Sequence, residues 1–376
     1  MRIVFVIGQL GRAGSERQLI LIAAGLQSKG HEVSIMVLEG PGEFDDEAKS
    51  RGLRLQFPPQ KFPKLIRSYL GYIKYIRRED PEVIYAFLPK QHLLATFFRL
   101  LSRRAKIVWG IRASDVDWSV YRLRARVFFP IVTWISRWAD MYIANSNSGA
   151  KYHTSLGYRS ERMVVIPNGV DKSIFSPDES IRNMKRQEWN ASPDTPVIGI
   201  MARFDPLKGN EDFLRVAATV KQHFPNALFI AVGRHTKIQA ESYLQLAESL
   251  AIKKQLLLYN SSNHPEQFLN GFDVLVVPSK TEGFPNSVVE SLACGTPVVG
   301  TNVGDIREII GEAMSAADFG DIATLSRCVV ETLNKPFDVT QRMELHQLTT
   351  RTFSEENMIN QTERFLQEIC DNKIGS

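Results

Sequence analysis

Residues 1–38 read MRIVFVIGQLGRAGSERQLILIAAGLQSKGHEVSIMVL, and the fold class turns on how this stretch divides. Residues 3–7 form a short run of β-branched and aromatic side chains that Gly8 ends, which predicts a strand buried on both faces. Gly8, Gly11 and Gly14 make a loop, and residues 15–29 then place Leu19, Ile22, Ala23 and Leu26 on one helical face. Gly30 stops that helix and residues 32–38 are the next strand. Strand, amphipathic helix and strand in this order are the unit of a parallel sheet covered by helices.

The same grammar continues outward. Residues 83–87, 106–111, 141–144 and 163–166 read as successive strands, and Pro167-Asn168-Gly169 as a turn. Residues 172–195 are polar and irregular, with Pro177 and Pro193 among them, and this is where a domain boundary is expected. The pattern then restarts with strand 197–202, a loop ending in Lys208-Gly209, helix 210–224 and strand 227–232 followed by Gly233. Strand 274–277, a helix over 286–293 stopped by Gly295, and strand 297–300 follow. The expectation is an α/β protein of two Rossmann-like parallel-sheet domains facing across a cleft. They comprise residues 1–172 and 173–353, with a C-terminal helix in 354–376 packing across both.

Bulk properties narrow the class. A chain of 376 residues is long for a single core and suits roughly two domains. With 44% hydrophobic and 23% charged residues, structure is expected throughout. The apolar start is too short for a secretory signal, and no run reaches the roughly 18 apolar residues of a membrane span. Three widely spaced cysteines, Cys294, Cys328 and Cys370, argue against a disulfide framework or a zinc site and favour a reducing cytoplasm. Charge is uneven: residues 1–172 hold 27 Lys and Arg against 15 Asp and Glu, whereas the remainder is net acidic.

The chemistry concentrates in Glu282-Gly283-Phe284-Pro285-Asn286-Ser287-Val288-Val289-Glu290. Glu282 lies in the loop after a strand, and Glu290 about a turn into the following helix, so both can face one pocket. A helix start offers N–H groups and a positive dipole end to phosphate, here from 286–288. Glu290 sits among apolar positions where an unpaired charge is costly, and a ribose diol would supply two matched donors to its carboxylate. Arg203, after strand 197–202, and Lys208 opening the next helix suit a diphosphate. Taken singly each of these is an ordinary exposed charge; together in one domain they point to a nucleotide.

These residues carry a resemblance. The segment from Glu282 to Glu290, together with Arg203, Lys208-Gly209, Val165-Ile166-Pro167-Asn168-Gly169-Val170-Asp171 and Thr301-Asn302-Val303-Gly304 with Glu308, resembles the retaining glycosyltransferases of family 4, of GT-B architecture. That family is widely used in bacterial surface-polysaccharide assembly. The resemblance implies a nucleotide-sugar donor, with UDP as the default, Arg203 and Lys208 on the diphosphate and Glu290 on the ribose. Glu282 and the backbone of 283–286 would hold the transferred sugar, and Gly14 and Gly233 would complete the donor site. It implies retention, and since no protein nucleophile is evident, same-face attack by the acceptor hydroxyl. No cofactor or metal is expected, the nucleotide-sugar being a substrate. Ala13-Gly14-Ser15-Glu16 departs from the family's pair of consecutive glycines, the first being replaced.

In the basic half, Arg112 is a candidate for an acceptor phosphate, and His92 for the acceptor or the donor sugar, with a capping or surface histidine as the alternative. Asp115-Val116-Asp117 could be a metal-binding pair, but two strand–helix domains argue for loop carboxylates instead. Between Arg99 and Arg137 arginines interleave with aromatics such as Trp109, Trp118, Trp134 and Trp138. That mixture suits an anionic membrane face and a polyprenyl-diphosphate-linked glycan acceptor better than nucleic acid, for which no module is recognisable. A nucleotide-sugar epimerase or phosphorylase on the same fold, and a non-catalytic membrane-binding relative, remain open alternatives at this point.

Overall fold

The structure is a computed structural model that describes residues 1–11, 14–57, 66–102, 104–113, 123–311, 314 and 316–371. It divides into two compact units, residues 1–169 with 355–376, and residues 170–354.

The first unit is built on a parallel sheet of β1 (Arg2–Ile7), β2 (Glu32–Val37), β3 (Arg54–Gln56), β4 (Val83–Phe87), β5 (Lys106–Ile111), β6 (Met141–Ala144) and β7 (Met163–Val165). Their order across the sheet is β3-β2-β1-β4-β5-β6-β7. Register is fixed by pairs such as Phe5 with Ile35 on one side and Phe5 with Tyr85 on the other. β1 is buried from Ile3 to Ile7, as its uniformly apolar sequence requires of a central strand covered on both faces. Helix Gly14–Ser28 covers one face through Leu19, Ile22, Ala23 and Leu26. The opposite face holds a second apolar cluster around Trp109, Tyr142 and Phe98.

The second unit repeats the plan with β8 (Val197–Met201), β9 (Leu228–Val232), β10 (Leu256–Tyr259), β11 (Val274–Val277), β12 (Val298–Thr301) and β13 (Ala316–Ala317). The order is β10-β9-β8-β11-β12-β13, again all parallel. Two apolar clusters lie on its two faces.

Two features differ from the sequence reading. Residues 172–195, expected to be irregular, contain helix Glu179–Glu188, whose N-cap Asp178 accepts from the Ser180 and Ile181 amides. The stretch reads as polar because the inward face of that helix is cationic. Arg186 donates to Asp273 at 3.1 Å and to the Thr195 carbonyl at 2.6 Å, and Arg182 pairs with the other oxygen of Asp273. Asp273 also accepts from the Val197 amide at 2.7 Å, so one carboxylate ties the helix to the start of β8. Lys185 extends over the Phe268 ring, 4.3 Å from its centroid, and pairs with Glu188.

The second difference concerns the C-terminal helix, Glu355–Cys370, which is counted with the first unit. Met358, Ile359, Leu366 and Ile369 join the cluster that includes Leu19 and Leu26. Glu363 receives Lys29 and the His31 ring, both at 2.8 Å, and these hydrogen bonds hold its carboxyl below the usual range. The helix thus closes the face that its own chain opened at residue 14.

Removing Asp273 leaves two largely buried guanidinium groups without the carboxylate they share. Asp273→Ala is expected to destabilise the second unit by about 3 kcal/mol or more, read as a lowered midpoint in urea unfolding.

Candidate active site

In the second sheet the chain turns one way from β8 towards β9 and the other way at β11, so the loops after β8 and β11 diverge at the carboxyl edge. This is the switch point where open α/β sheets bind ligands. The loop after β8 carries Arg203, then a 3-10 turn Pro206–Lys208 capped by Asp205, whose carboxylate accepts from the Leu207 amide at 2.9 Å. Gly209 ends the turn with φ +65°, and a Cβ there would collide with the Pro278 carbonyl. At Gly233, after β9, a Cβ would overlap the Ala202 carbonyl. These two glycines let three loops lie backbone to backbone. The Lys280 amide donates to the Leu207 carbonyl at 2.9 Å and locks the first loop to the third.

That packing brings Lys208 Nζ to 2.7 Å from Glu282 Oε1. Ser279 Oγ donates to the same carboxylate oxygen at 2.7 Å, and Thr301 Oγ1 donates to the Ser279 carbonyl at 2.6 Å. The pair is mostly shielded, the side chains being 22% and 11% exposed. Arg203 is instead 60% exposed, with Asp205 beside it at 3.1 Å. Phe284 and Pro285 are buried, and Phe284 packs on Phe353 at 5.9 Å between ring centres. The apolar residues of the loop therefore anchor it, while Gly283, Asn286 and Ser287 stay partly open. Helix Asn286–Ala293 starts at Pro285 with no side-chain cap. Its Val288, Val289 and Leu292 are buried, and Glu290, one turn in, is half-buried at the boundary of that apolar face.

Arg203, Lys208, Gly233 and the run from Glu282 to Glu290 thus share one edge of one sheet. Gly14, His92 and Arg112 belong to the first unit, where Gly14 is the first residue of its helix. His92 is 2% exposed, stacked on Trp109 at 4.6 Å, with Nε2 3.2 Å from the Gly110 carbonyl. Burial holds its pKa at about 3, so the ring is neutral. Arg112 follows β5 and is half-buried. Its Nη1 donates to Asn168 Oδ1 at 2.9 Å and its Nη2 to the Tyr85 hydroxyl at 3.2 Å, and the guanidinium lies 4.2 Å from the Phe87 ring centre. Asp115 and Asp117 lie outside the described residues, as do Trp118 and the side chains of Arg122, Arg124 and Arg126.

Sequence reading missed the residues that aim these groups: Ser279 and Thr301 behind Glu282, Asp205 beside Arg203, and Tyr85 and Asn168 behind Arg112. Asn168 and Thr301 entered the sequence reading only as carriers of the resemblance, and the remaining signal is position, since Ser279 and Asn168 stand just beyond strand ends. Among the described residues no three His, Cys, Asp or Glu side chains gather in a metal-binding group.

Two doubly wound parallel sheets, the second with a Lys–Glu ion pair at its switch point, define a two-domain α/β protein. The family model described as Glycosyltransferase Family 4 matches residues 12–173, and that described as Glycosyl transferases group 1 matches residues 181–345. The chain belongs to the family 4 glycosyltransferases of GT-B fold. It is 29% identical over 206 residues to the D-inositol 3-phosphate glycosyltransferase of Mycolicibacterium smegmatis, covering 52% of this chain and 46% of that protein. It is 27% identical over 183 residues to the enzyme of the same name from Segniliparus rotundus, covering 47% of this chain and 40% of the relative. The matched region therefore spans less than half the length of these curated relatives. In fold it is similar to Anabaena HepE, solved in complex with UDP, with a TM-score of 0.85 at 19% identity over 98% of this chain and all of the other.

The buried imidazole of His92 has a consequence for stability. In the unfolded chain it takes up a proton as pH falls below 6.5, whereas in the folded chain it stays neutral to about pH 3. The unfolded state therefore binds more protons across that window and stability falls with pH. The His92 contribution lost between pH 6.5 and 5 is expected to be about 2 kcal/mol, seen as a fall in the chemical-denaturation midpoint that is smaller in His92→Gln.

Proposed function

We propose that this chain transfers a sugar from a nucleotide-sugar, UDP-linked, to a glycan acceptor with retention at the anomeric carbon. The observation that carries the reading is the Lys208–Glu282 pair, 2.7 Å apart at the switch point of the second sheet. In the proposal Lys208 and the exposed Arg203 take the donor diphosphate, and the open start of helix Asn286–Ala293 adds its dipole. Glu290 accepts the ribose hydroxyls. Glu282, already oriented by Ser279, accepts a hydroxyl of the transferred sugar, with the backbone of 283–286 alongside.

Chemistry follows from that charge distribution. As the bond from anomeric carbon to phosphate oxygen lengthens, negative charge builds on the leaving diphosphate, and two cations already in place stabilise it without solvent rearrangement. The acceptor hydroxyl attacks from the face the diphosphate is leaving and passes its proton to the departing oxygen, so the configuration is kept. This scheme uses no resident cofactor or metal, since Arg203 and Lys208 carry the charge.

The acceptor is assigned to the first unit, and the product to bacterial surface-polysaccharide, lipopolysaccharide or capsule assembly. A polyprenyl-diphosphate-linked acceptor at the inner face of the cell membrane fits the surface of the first unit. There Trp134 and Trp138 are 53% and 42% exposed, and the Arg137 guanidinium lies 5.2 and 6.0 Å from their ring centres. Indole and guanidinium together suit the headgroup layer of an anionic bilayer.

With the matching nucleotide-sugar found by following released nucleotide diphosphate, Lys208→Ala and Glu290→Ala should each lose about a hundredfold in kcat/KM while melting like the parent. Unaltered turnover in both, or no calorimetric binding of UDP, would sink the reading. Co-sedimentation with anionic vesicles that weakens as salt rises tests the membrane part; equal binding to neutral vesicles counts against it.

A further inference from the structure

We infer that Arg342 and His346, both on helix Val339–Thr352, are positioning residues that aim Glu290 by holding the carboxyl end of the helix that carries it. The task given to Glu290 rests on the donor reading above; the hold on its helix does not.

The case begins with the helix itself. Helix Asn286–Ala293 has eight residues, so it is roughly 12 Å long. A helix this short is marginal by itself and takes its position from packing. Its amino end starts at Pro285 without a side-chain cap. At the carboxyl end the last carbonyls of any helix lack partners within it and must find them outside. Here the Glu290 carbonyl accepts from the Cys294 amide at 3.0 Å, that of Ser291 from the Thr296 amide at 2.9 Å, and that of Leu292 from the Gly295 amide at 3.0 Å. The carbonyls of Ala293 and Cys294 are both met by side chains of one neighbouring helix. His346 Nδ1 lies 2.6 Å from the Ala293 carbonyl, and since a carbonyl only accepts, the imidazole carries a proton on Nδ1. Arg342 Nη2 donates to the Cys294 carbonyl at 3.2 Å. One turn apart, the two side chains share a face of their helix. The backbones close up behind them, for a Cβ on Gly295 would come within 2.6 Å of the Arg342 carbonyl.

Charge supplies the second argument. Arg342 is 4% exposed, and burial lowers its pKa to about 10, so it remains a cation at neutral pH. A buried cation is costly unless acceptors meet it. The negative end of the Glu290 helix dipole faces this one, and the Asn270 carbonyl at 3.3 Å and the Thr296 hydroxyl at 3.4 Å share its Nη2. Those acceptors are themselves fixed. Asn270 is fully buried, accepts from the Asp178 amide at 2.9 Å and donates to the Ser176 and Glu266 carbonyls. The Thr296 hydroxyl donates to the Leu269 carbonyl at 2.7 Å. Through Arg342 the end of the Glu290 helix is tied to a frame inside the core of the second unit.

The other end of helix Val339–Thr352 is fixed as well. Phe353, the next residue, packs on Phe284, and its carbonyl accepts from the Val170 amide at 2.8 Å. One helix therefore grips the run from Glu282 to Glu290 ahead of its helical part, through Phe353, and beyond it, through Arg342 and His346. Glu290 stands a single turn from the held end and is joined to it by the Cys294 amide, so a shift of that end passes straight to its backbone. A carboxylate that has to meet both hydroxyls of a vicinal diol tolerates little misplacement.

The test uses the full chain and calorimetry with UDP and with 2′,3′-dideoxyuridine 5′-diphosphate, which keeps the base and the diphosphate and lacks the ribose diol. The parent is expected to bind UDP the more tightly. His346→Leu is expected to weaken UDP about fivefold and the dideoxy compound less than about twofold. His346→Asn, whose amide nitrogen stands close to where Nδ1 was, should restore most of the difference. A residue that merely supports the fold would weaken both ligands alike. Amide exchange gives a readout without ligand: in His346→Leu, protection should fall in residues 286–294 and keep its parent values in the strands of the second sheet. Should His346→Leu fail to fold, Arg342→Lys, which keeps the charge and gives up the planar fork, is expected to show the same split between the two ligands. Equal weakening of both ligands, unchanged UDP affinity, or unchanged exchange in 286–294 overturns the proposal. A parent that binds neither ligand, or both equally, removes the donor reading of Glu290, and the exchange pattern then still decides whether Arg342 and His346 hold the helix.

Discussion

The constraint on which both units depend is the right-handed crossover of parallel strands. Each strand must be followed by a connection that packs back on the sheet with one hand, so a sheet that grows first one way and then the other covers opposite faces. The orders β3-β2-β1-β4 and β10-β9-β8-β11 both make that reversal. At the reversal two neighbouring loops diverge and leave backbone and side chains open. The candidate site residues of this chain stand at or next to those two places.

In the second unit the reversal would be only a gap without the close approach that Gly209 and Gly233 allow. Lys208 and Glu282 sit on different loops, and their 2.7 Å separation exists because the backbones behind them touch. As a contribution to stability such a pair is worth little, since the desolvation of both ions offsets most of their attraction. Its value is geometric. A lysine held against a carboxylate is pre-positioned, and in the proposed reaction the donor diphosphate would replace Glu282 as its partner and release the carboxylate to accept a hydroxyl. Ser279 and Thr301 then matter because they keep Glu282 in place during that exchange.

How much of this was legible varied with the physics behind each element. Central strands were read to within a residue or two because burial on both faces leaves an uninterrupted apolar run, as in Val274–Val277. The run from Glu282 to Glu290 was legible because a carboxylate among Val288, Val289 and Leu292 contradicts its own neighbourhood. Helix Glu179–Glu188 was not, since hydrophobic periodicity is blind to an inward face made of Arg182, Lys185 and Arg186; their partner Asp273 stands 91 residues from Arg182. The docking of Glu355–Cys370 was hidden for a related reason: its stripe of Met358, Leu366 and Ile369 says that something is covered, and not which surface. Tyr85 reads as one more aromatic of a buried strand, and only the fold shows its hydroxyl under Arg112.

Arg112 and Lys208 illustrate two ways to hold a partly buried cation. Lys208 has a carboxylate in contact, so its ligand must compete with an ion pair, and binding there is an exchange whose net gain is the difference between two partners. Arg112 is oriented by a phenol and an amide, which fix direction and leave charge. A rigid fork held in this way loses little side-chain entropy on meeting a further partner. In the proposed reaction the exchange at Lys208 suits a site that fills and empties around a bond-breaking step, because the resting carboxylate would help to release the diphosphate. The two cations thus differ in what surrounds them among the described residues, a carboxylate for Lys208 and neutral dipoles for Arg112.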